Sequence, residues 1–301
     1  MEGADSAEDP NSTPGNGRAG GPDRSAATVA RWAEVHRLAV VGRETAIARE
    51  TGDLAARVWL RRSRFADVAA LATATLTLGP DAAASYHLGR ARSATGQPRL
   101  ALASFEQALR LFREAGNRGD EAATLSDIGH AYSRLGDRRQ ALTYYWQALP
   151  IMREAGHRVG EAVALTNIGL VHDELGDGRQ ALSYYQQALP IRREVGDRAG
   201  EAATLNNIGA VHQGSGDSAQ ALTYYDQSLS VAREIGDRAS EAVTRFNIAM
   251  IHRALGDLDQ AIGELEIVVD LDRQVADPGL ASDVALLEQL RQERAVPGKS
   301  T

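Results

Sequence analysis

The chain has 301 residues, with 33 basic and 40 acidic side chains and a net charge of −7. That acid excess argues against a general phosphate-backbone binder, so no nucleic acid is expected as a partner. Cysteine is absent, which excludes disulfides, thiolate zinc sites and cysteine nucleophiles.

Aromatics make up only 5% of the residues, and a core of small side chains suits packed helices better than a β-sandwich. Arginine supplies nearly all the positive charge; Lys299 is the only lysine. That bias is expected of a GC-rich bacterial genome. Residues 1–24 are rich in Gly, Pro, Ser, Asn and Asp, bury too little apolar surface to order themselves, and read as a disordered tail. Within them Gly15–Gly21 lacks the Lys-Ser/Thr ending of a phosphate loop. Met1 to Asp9 is acidic, without a basic or an apolar leader region, so no signal peptide is expected. The most apolar stretch, Val68 to Leu78, is too short to span a bilayer. The expectation is a cytoplasmic protein with no membrane partner.

Residues 25–81 read as N-terminal helices. Ser25 to about Gly52 is expected to be helical, with Val29, Trp32 and Val35 on one face. Residues 53–81 read as a worn repeat, in which Phe65, Val68 and Leu71 lead to Leu78-Gly79-Pro80.

Residues 82–275 repeat themselves. Gly96, Gly136, Gly176, Gly216 and Gly256 are spaced forty apart, and Ile128, Ile168, Ile208 and Ile248 keep the same step. Such a period marks a stacked repeat architecture. In the unit from Ala162, the residues Val163, Leu165, Ile168 and Val171 or His172 recur at helical spacing. Gly176 can end that helix in the left-handed conformation. Asp177 with Gln180 forms a capping-box pattern, which recurs at Asp137, Asp217 and Asp257. A second helix then buries Ala181, Leu182, Tyr185, Ala188 and Leu189, and ends near Gly196, with Asp197 placed to cap the next unit. Pro150 and Pro190 fall inside second helices and are expected to bend them. After Pro278, Gly279 to Arg294 is amphipathic through Leu280, Val284, Leu287 and Leu290, and residues 276–294 are expected to cap the stack. A short tail, 295–301, follows.

The unit resembles the tetratricopeptide repeat, in a long form of about forty residues where the usual length is about 34. The resemblance rests on Leu125, Ile128, Gly129, Tyr132, Gly136, Ala141, Tyr145 and Ala148, and on the same set at Leu165, Ile168, Gly169, His172, Gly176, Ala181, Tyr185 and Ala188. A third copy runs from Leu205 to Ser228, with weaker copies on either side. The wording of the repeat is similar to arrays in kinesin light chains and in bacterial signalling ATPases and antibiotic-pathway regulators. The resemblance implies an all-α fold, a right-handed superhelical solenoid of antiparallel helix pairs. It also implies that Gly129 and Ala141 face each other across the hairpin and that Tyr145 fills the gap between units.

By the same resemblance, the first helices line a concave groove. Asp127, Asn167, Asn207 and Asn247 lie one residue before the core isoleucine, where the family often holds a peptide backbone. An amide both donates and accepts, which suits an extended chain. Leu170 and Met250 are neighbouring candidates that would make the groove partly apolar. The basic residues with which some members clamp a terminal carboxylate are not evident. A solvated polar face is the competing reading of the Asn column.

The remaining constellations read as structure. His172, His212 and His252 form a column, but stacked helices lie roughly 10 Å apart and metal ligands lie about 2 Å from one ion. They take the place of Tyr132, so packing is expected and no metal. Tyr144, Tyr184 and Tyr224 point about 100° away from the core tyrosines and are expected against the next unit's helices. Arg153, Arg193 and Arg233 with Glu154, Glu194 and Glu234 read as a salt-bridged, solvated face. No catalytic residue or cofactor is implied. The reading is a binding scaffold for a protein or peptide partner, with a peptide-responsive regulatory sensor as the alternative.

Overall fold

In each unit a first helix stops at a glycine whose backbone is left-handed, as at Gly176 with φ +79°. The chain reverses there because the next N–H groups turn back onto the helix: Gly176 donates to the Asp173 carbonyl and Asp177 to that of His172. The Asp177 carboxylate then accepts from the Gln180 N–H at 3.2 Å and opens the second helix. Only this half of the expected capping box is used, since the Asp177 N–H is already taken by the preceding helix. Asp137, Asp217 and Asp257 cap in the same way, each cap contributing about 1 kcal/mol.

The computed structural model describes residues 26–295. The expectations for 1–24, for Ser25 and for 296–301 lie outside them. Three helices come first: α1 (Ala26–Val41), α2 (Thr45–Arg61) and α3 (Phe65–Leu76). Five hairpins follow: α4 (Ala82–Ala94) with α5 (Pro98–Glu114), α6 (Arg118–Arg134) with α7 (Arg138–Glu154), α8 (Arg158–Glu174) with α9 (Gly178–Glu194), α10 (Arg198–Gly214) with α11 (Ser218–Ile235), and α12 (Arg238–Ala254) with α13 (Leu258–Val275). A last helix, α14 (Leu280–Ala295), buries Leu287 and Leu290 against the fifth hairpin. No strand occurs among the described residues. The chain is an all-α, right-handed superhelical solenoid of antiparallel helix pairs.

The first helices α4, α6, α8, α10 and α12 touch one another in succession, whereas α5, α7, α9, α11 and α13 touch none of their own kind. The stack therefore curves with the first helices on its inner side.

Inside a hairpin the tight approach is between a glycine and a ring. A Cβ on Gly169 would sit 2.6 Å from Cε1 of Tyr185, and Gly129 and Gly209 meet Tyr145 and Tyr225 in the same way. Thus Gly129 makes room for the tyrosine of its own hairpin, and that ring fills the hairpin interior. Burying such a side chain contributes about 2–3 kcal/mol.

One sequence expectation needs correction. Gly52 does not end a helix. It lies buried within α2, where a Cβ would meet His36 at 3.1 Å and Thr75 at 3.2 Å. The break falls at Gly42–Glu44 instead, with Arg43 in the left-handed region at φ +57°. Trp32 is half-buried and Val35 exposed. At Pro150 and Pro190, where a bend is expected, α7 and α9 run on without interruption. Each ring, and the residue four back whose carbonyl loses its donor, is exposed, so water can take up that bond.

Candidate functional site

The inner row is built on the first helices. Asp127, Asn167, Asn207 and Asn247 are all half-buried, each beside a fully or nearly fully buried isoleucine. The structure puts them in four different states. Asn247 Nδ2 donates to Asn206 Oδ1 of the preceding hairpin at 3.0 Å, which ties the fourth unit to the fifth. Asp127 lies 4.0 Å from the Arg90 guanidinium. Burial pushes its carboxyl above the ordinary carboxylate range, against the pull of Arg90 and Tyr86. Asn167 and Asn207 make no hydrogen bond to other described residues. Asn207 lines a cavity of about 220 Å³ with Asn206, Ala203, Ser228, Ala239 and Val243. Leu170 is 39% exposed. Met250 is half-buried against the cluster that holds α14.

The row extends further than the sequence reading took it. His87 stands forty residues before Asp127, and Asp53 stands 34 before His87. Their side chains meet, His87 Nε2 to Asp53 Oδ1 at 2.8 Å. The change of residue type and of period concealed the register.

Behind the row, aromatic rings pair within hairpins. Tyr132 stacks on Tyr144 at 5.4 Å, His172 on Tyr184 at 5.5 Å and His212 on Tyr224 at 5.4 Å. The histidines therefore pack in place of Tyr132, and the second tyrosines face the first helix of their own hairpin. Tyr144 and Tyr184 are also half-buried against the central core. Among the described residues no group of three His, Asp or Glu side chains is placed to hold a metal ion.

On another face stands a glutamate column that the sequence pattern alone does not reveal. Glu121, Glu161 and Glu201 are buried at one register. Glu161 accepts from Arg153 at 2.8 Å and from Arg158 at 2.5 Å, and Arg158 reaches Glu194 at 2.6 Å. Arg193, Arg198 and Glu234 repeat the arrangement around Glu201. For Glu121, burial works against the charge, yet Arg113 and Arg118 together hold the carboxyl below its ordinary value. The arginines expected on a solvated face thus clamp buried carboxylates between successive hairpins.

Residues 80–154, 120–194 and 200–274 match the model of the tetratricopeptide repeat, and together span more than half of the chain. No curated protein matches it in sequence. Solved structures are similar in fold. BtubC from P. vanneervenii is 21% identical with a TM-score of 0.58, covering 76% of this chain and 93% of that one. Aspartyl phosphate phosphatase F from Bacillus subtilis is 13% identical with a TM-score of 0.59, covering 83% and 71%. A signal-transduction ATPase with a tetratricopeptide repeat sensor, from Pyrococcus horikoshii, is 16% identical with a TM-score of 0.66, covering 79% of this chain and 36% of that one.

Proposed function

From the premise that the chain belongs to the tetratricopeptide repeat family, we propose that it is a protein-interaction scaffold that holds an extended peptide or protein segment along its inner row. The observation that carries this reading is the state of Asn167 and Asn207. Both are half-buried, both stand on first helices that touch, and neither is used by other described residues. Each amide offers a donor and an acceptor to a backbone that has both to satisfy. Leu170 and the small cavity beside Asn207 supply apolar surface for the segment's side chains. Asn247 contributes less, because its amide is already bonded to Asn206.

The test starts from peptides selected against the full chain out of a displayed random library. Asn167→Ala with Asn207→Ala should weaken their binding roughly five- to a hundredfold, since each bond contributes about 0.5–1.5 kcal/mol. Glu154→Ala with Glu194→Ala is the control, on exposed ion pairs of little worth. Calorimetry on folded variants decides it, and a double Asn variant that binds like the parent removes the inner row from consideration. A second reading, a peptide-responsive sensor, is favoured by the likeness to the array that serves as a sensor in the Pyrococcus horikoshii ATPase. It requires the selected peptide to change the length of the array, which small-angle scattering measures.

A further inference from the structure

We propose that the cavity between α2 and α4 is a binding site for a small free carboxylic acid with an aromatic or branched apolar body. The cavity holds about 290 Å³ and is lined by Asp53, Arg57 and Arg61 of α2, by Tyr86, His87 and Arg90 of α4, and by Leu60, Phe112 and Asp120. Three guanidinium groups face two carboxylates there, in a chain whose net charge is −7. The local excess of one positive charge fits a monoanion.

The charges are not free to cancel. Asp53 is occupied on both sides, by Arg57 at 2.8 Å and by His87 at 2.8 Å. It therefore cannot turn to Arg61 or Arg90. Arg61 has no ion pair or hydrogen bond among the described residues. Arg90 has only the long 4.0 Å approach to Asp127, whose burial disfavours its charge. Two cations thus stand at the cavity without a full partner. A guanidinium offers paired N–H groups that match a carboxylate.

His87 also stands in the wall and is 5% exposed. Its Nε2 meets the Asp53 carboxylate at 2.8 Å, which fixes the ring beside the cavity. Aromatic rings contribute to the lining: Tyr86 lies 6.3 Å from Phe112, edge on, and Arg90 sits 5.9 Å over the Tyr86 ring. A dry cavity of about 150 Å³ takes a benzene ring, so the space here suits a ring plus a short acid arm.

Phenylpropionate and its uncharged amide are the probes, titrated into the full chain by calorimetry and by NMR of the His87 ring. The acid should bind at least tenfold more tightly than the amide and shift the His87 resonances. Arg90→Gln and Arg61→Gln should each weaken the acid about tenfold and leave the amide unchanged. Arg61→Gln alters an exposed, unpaired side chain, so its loss of binding cannot be a loss of fold. Equal affinity for acid and amide, binding that leaves His87 unmoved, or affinity confined to peptides with a free C-terminal carboxylate would each overturn the proposal.

Discussion

In the fourth hairpin Gly209 lies against the ring of Tyr225, whereas in the fifth the same two positions hold Ala249 and Leu265. All four are fully buried or nearly so. One methyl is gained on α12 where an aromatic ring is lost on α13, and the volume between the helices is kept. A second exchange lies beside it. Leu205 and the stacked pair His212–Tyr224 give way to Arg245, His252 and Glu264. Arg245 is 3% exposed and bonds both Glu241 and Glu264. Burial pushes the Glu264 carboxyl up despite Arg233 and His252 nearby. The two hairpins nevertheless turn at the same glycine register and open with the same aspartate cap. Turns and caps set the backbone, and the interior can be filled in more than one way.

The largest expected effect comes from splitting the charged interior. Arg245→Leu leaves Glu264 without its cation and should cost about 3 kcal/mol, at the lower end for a broken buried pair because Glu264 is partly exposed. Adding Glu264→Tyr rebuilds the fourth hairpin's choice and should recover most of the loss in urea unfolding. A double variant no more stable than the single one would show that the interiors are not interchangeable.

The aromatic interior is broken next. Gly169→Leu drives a side chain into the Tyr185 ring, already 2.6 Å from where a Cβ would stand, and should cost about 1–3 kcal/mol. Gly169→Ala with Tyr185→Leu copies the fifth hairpin and should cost less than Gly169→Leu. If Gly169→Leu melts like the parent, the ring does not depend on the glycine.

The ends of the second helices sharpen the comparison. Gly236 closes α11 at φ +69°, and its register mate after α13 is Ala276 at φ +54°. A Cβ is unfavourable in that region, so Ala276→Gly should stabilise the chain by about 1 kcal/mol. Gly236→Ala should do the reverse, and thermal melting of both variants measures the difference.

The smallest effect concerns pH. Asp272, 4% exposed at the end of α13, is pushed up to about 6, chiefly by burial and then by Asp283 and Asp277. Its folded value lies above the ordinary 3.8. The stability it contributes is therefore present below about 4 and is lost as pH rises through about 6. Asp272→Asn should raise the melting temperature at pH 7 more than at pH 5, and an equal gain at both would exclude this cause.

Much of this was legible in the sequence, because forty-residue recurrence displays turns and caps directly. Asp137, Asp177, Asp217 and Asp257 accept the bonds their position implied. What stayed hidden depends on which neighbour a side chain meets. Periodicity gives the face of Tyr184 but not that its stacking partner is His172 of its own hairpin. It gives the offset of Asn247 but not the bond to Asn206. Gly52 read as a stop because glycine serves both turns and close packing, and only the surrounding His36 and Thr75 distinguish the two. Glu161 is hidden in the sequence because a carboxylate among arginines has the pattern of a solvated face, and only its burial distinguishes it.

Helices that touch along one edge of the stack and stand apart along the other make a pile of wedges. Its neutral axis runs through the contacts of α6 with α8 and of α8 with α10, so flexing changes spacings least there and most along the opposite edge. Trp146, on α7, lies 47% exposed with its ring 6.3 Å from His172 of the next hairpin. With Trp32 and Trp59 replaced by Phe, its fluorescence becomes a built-in strain gauge for the joint between the second and third units.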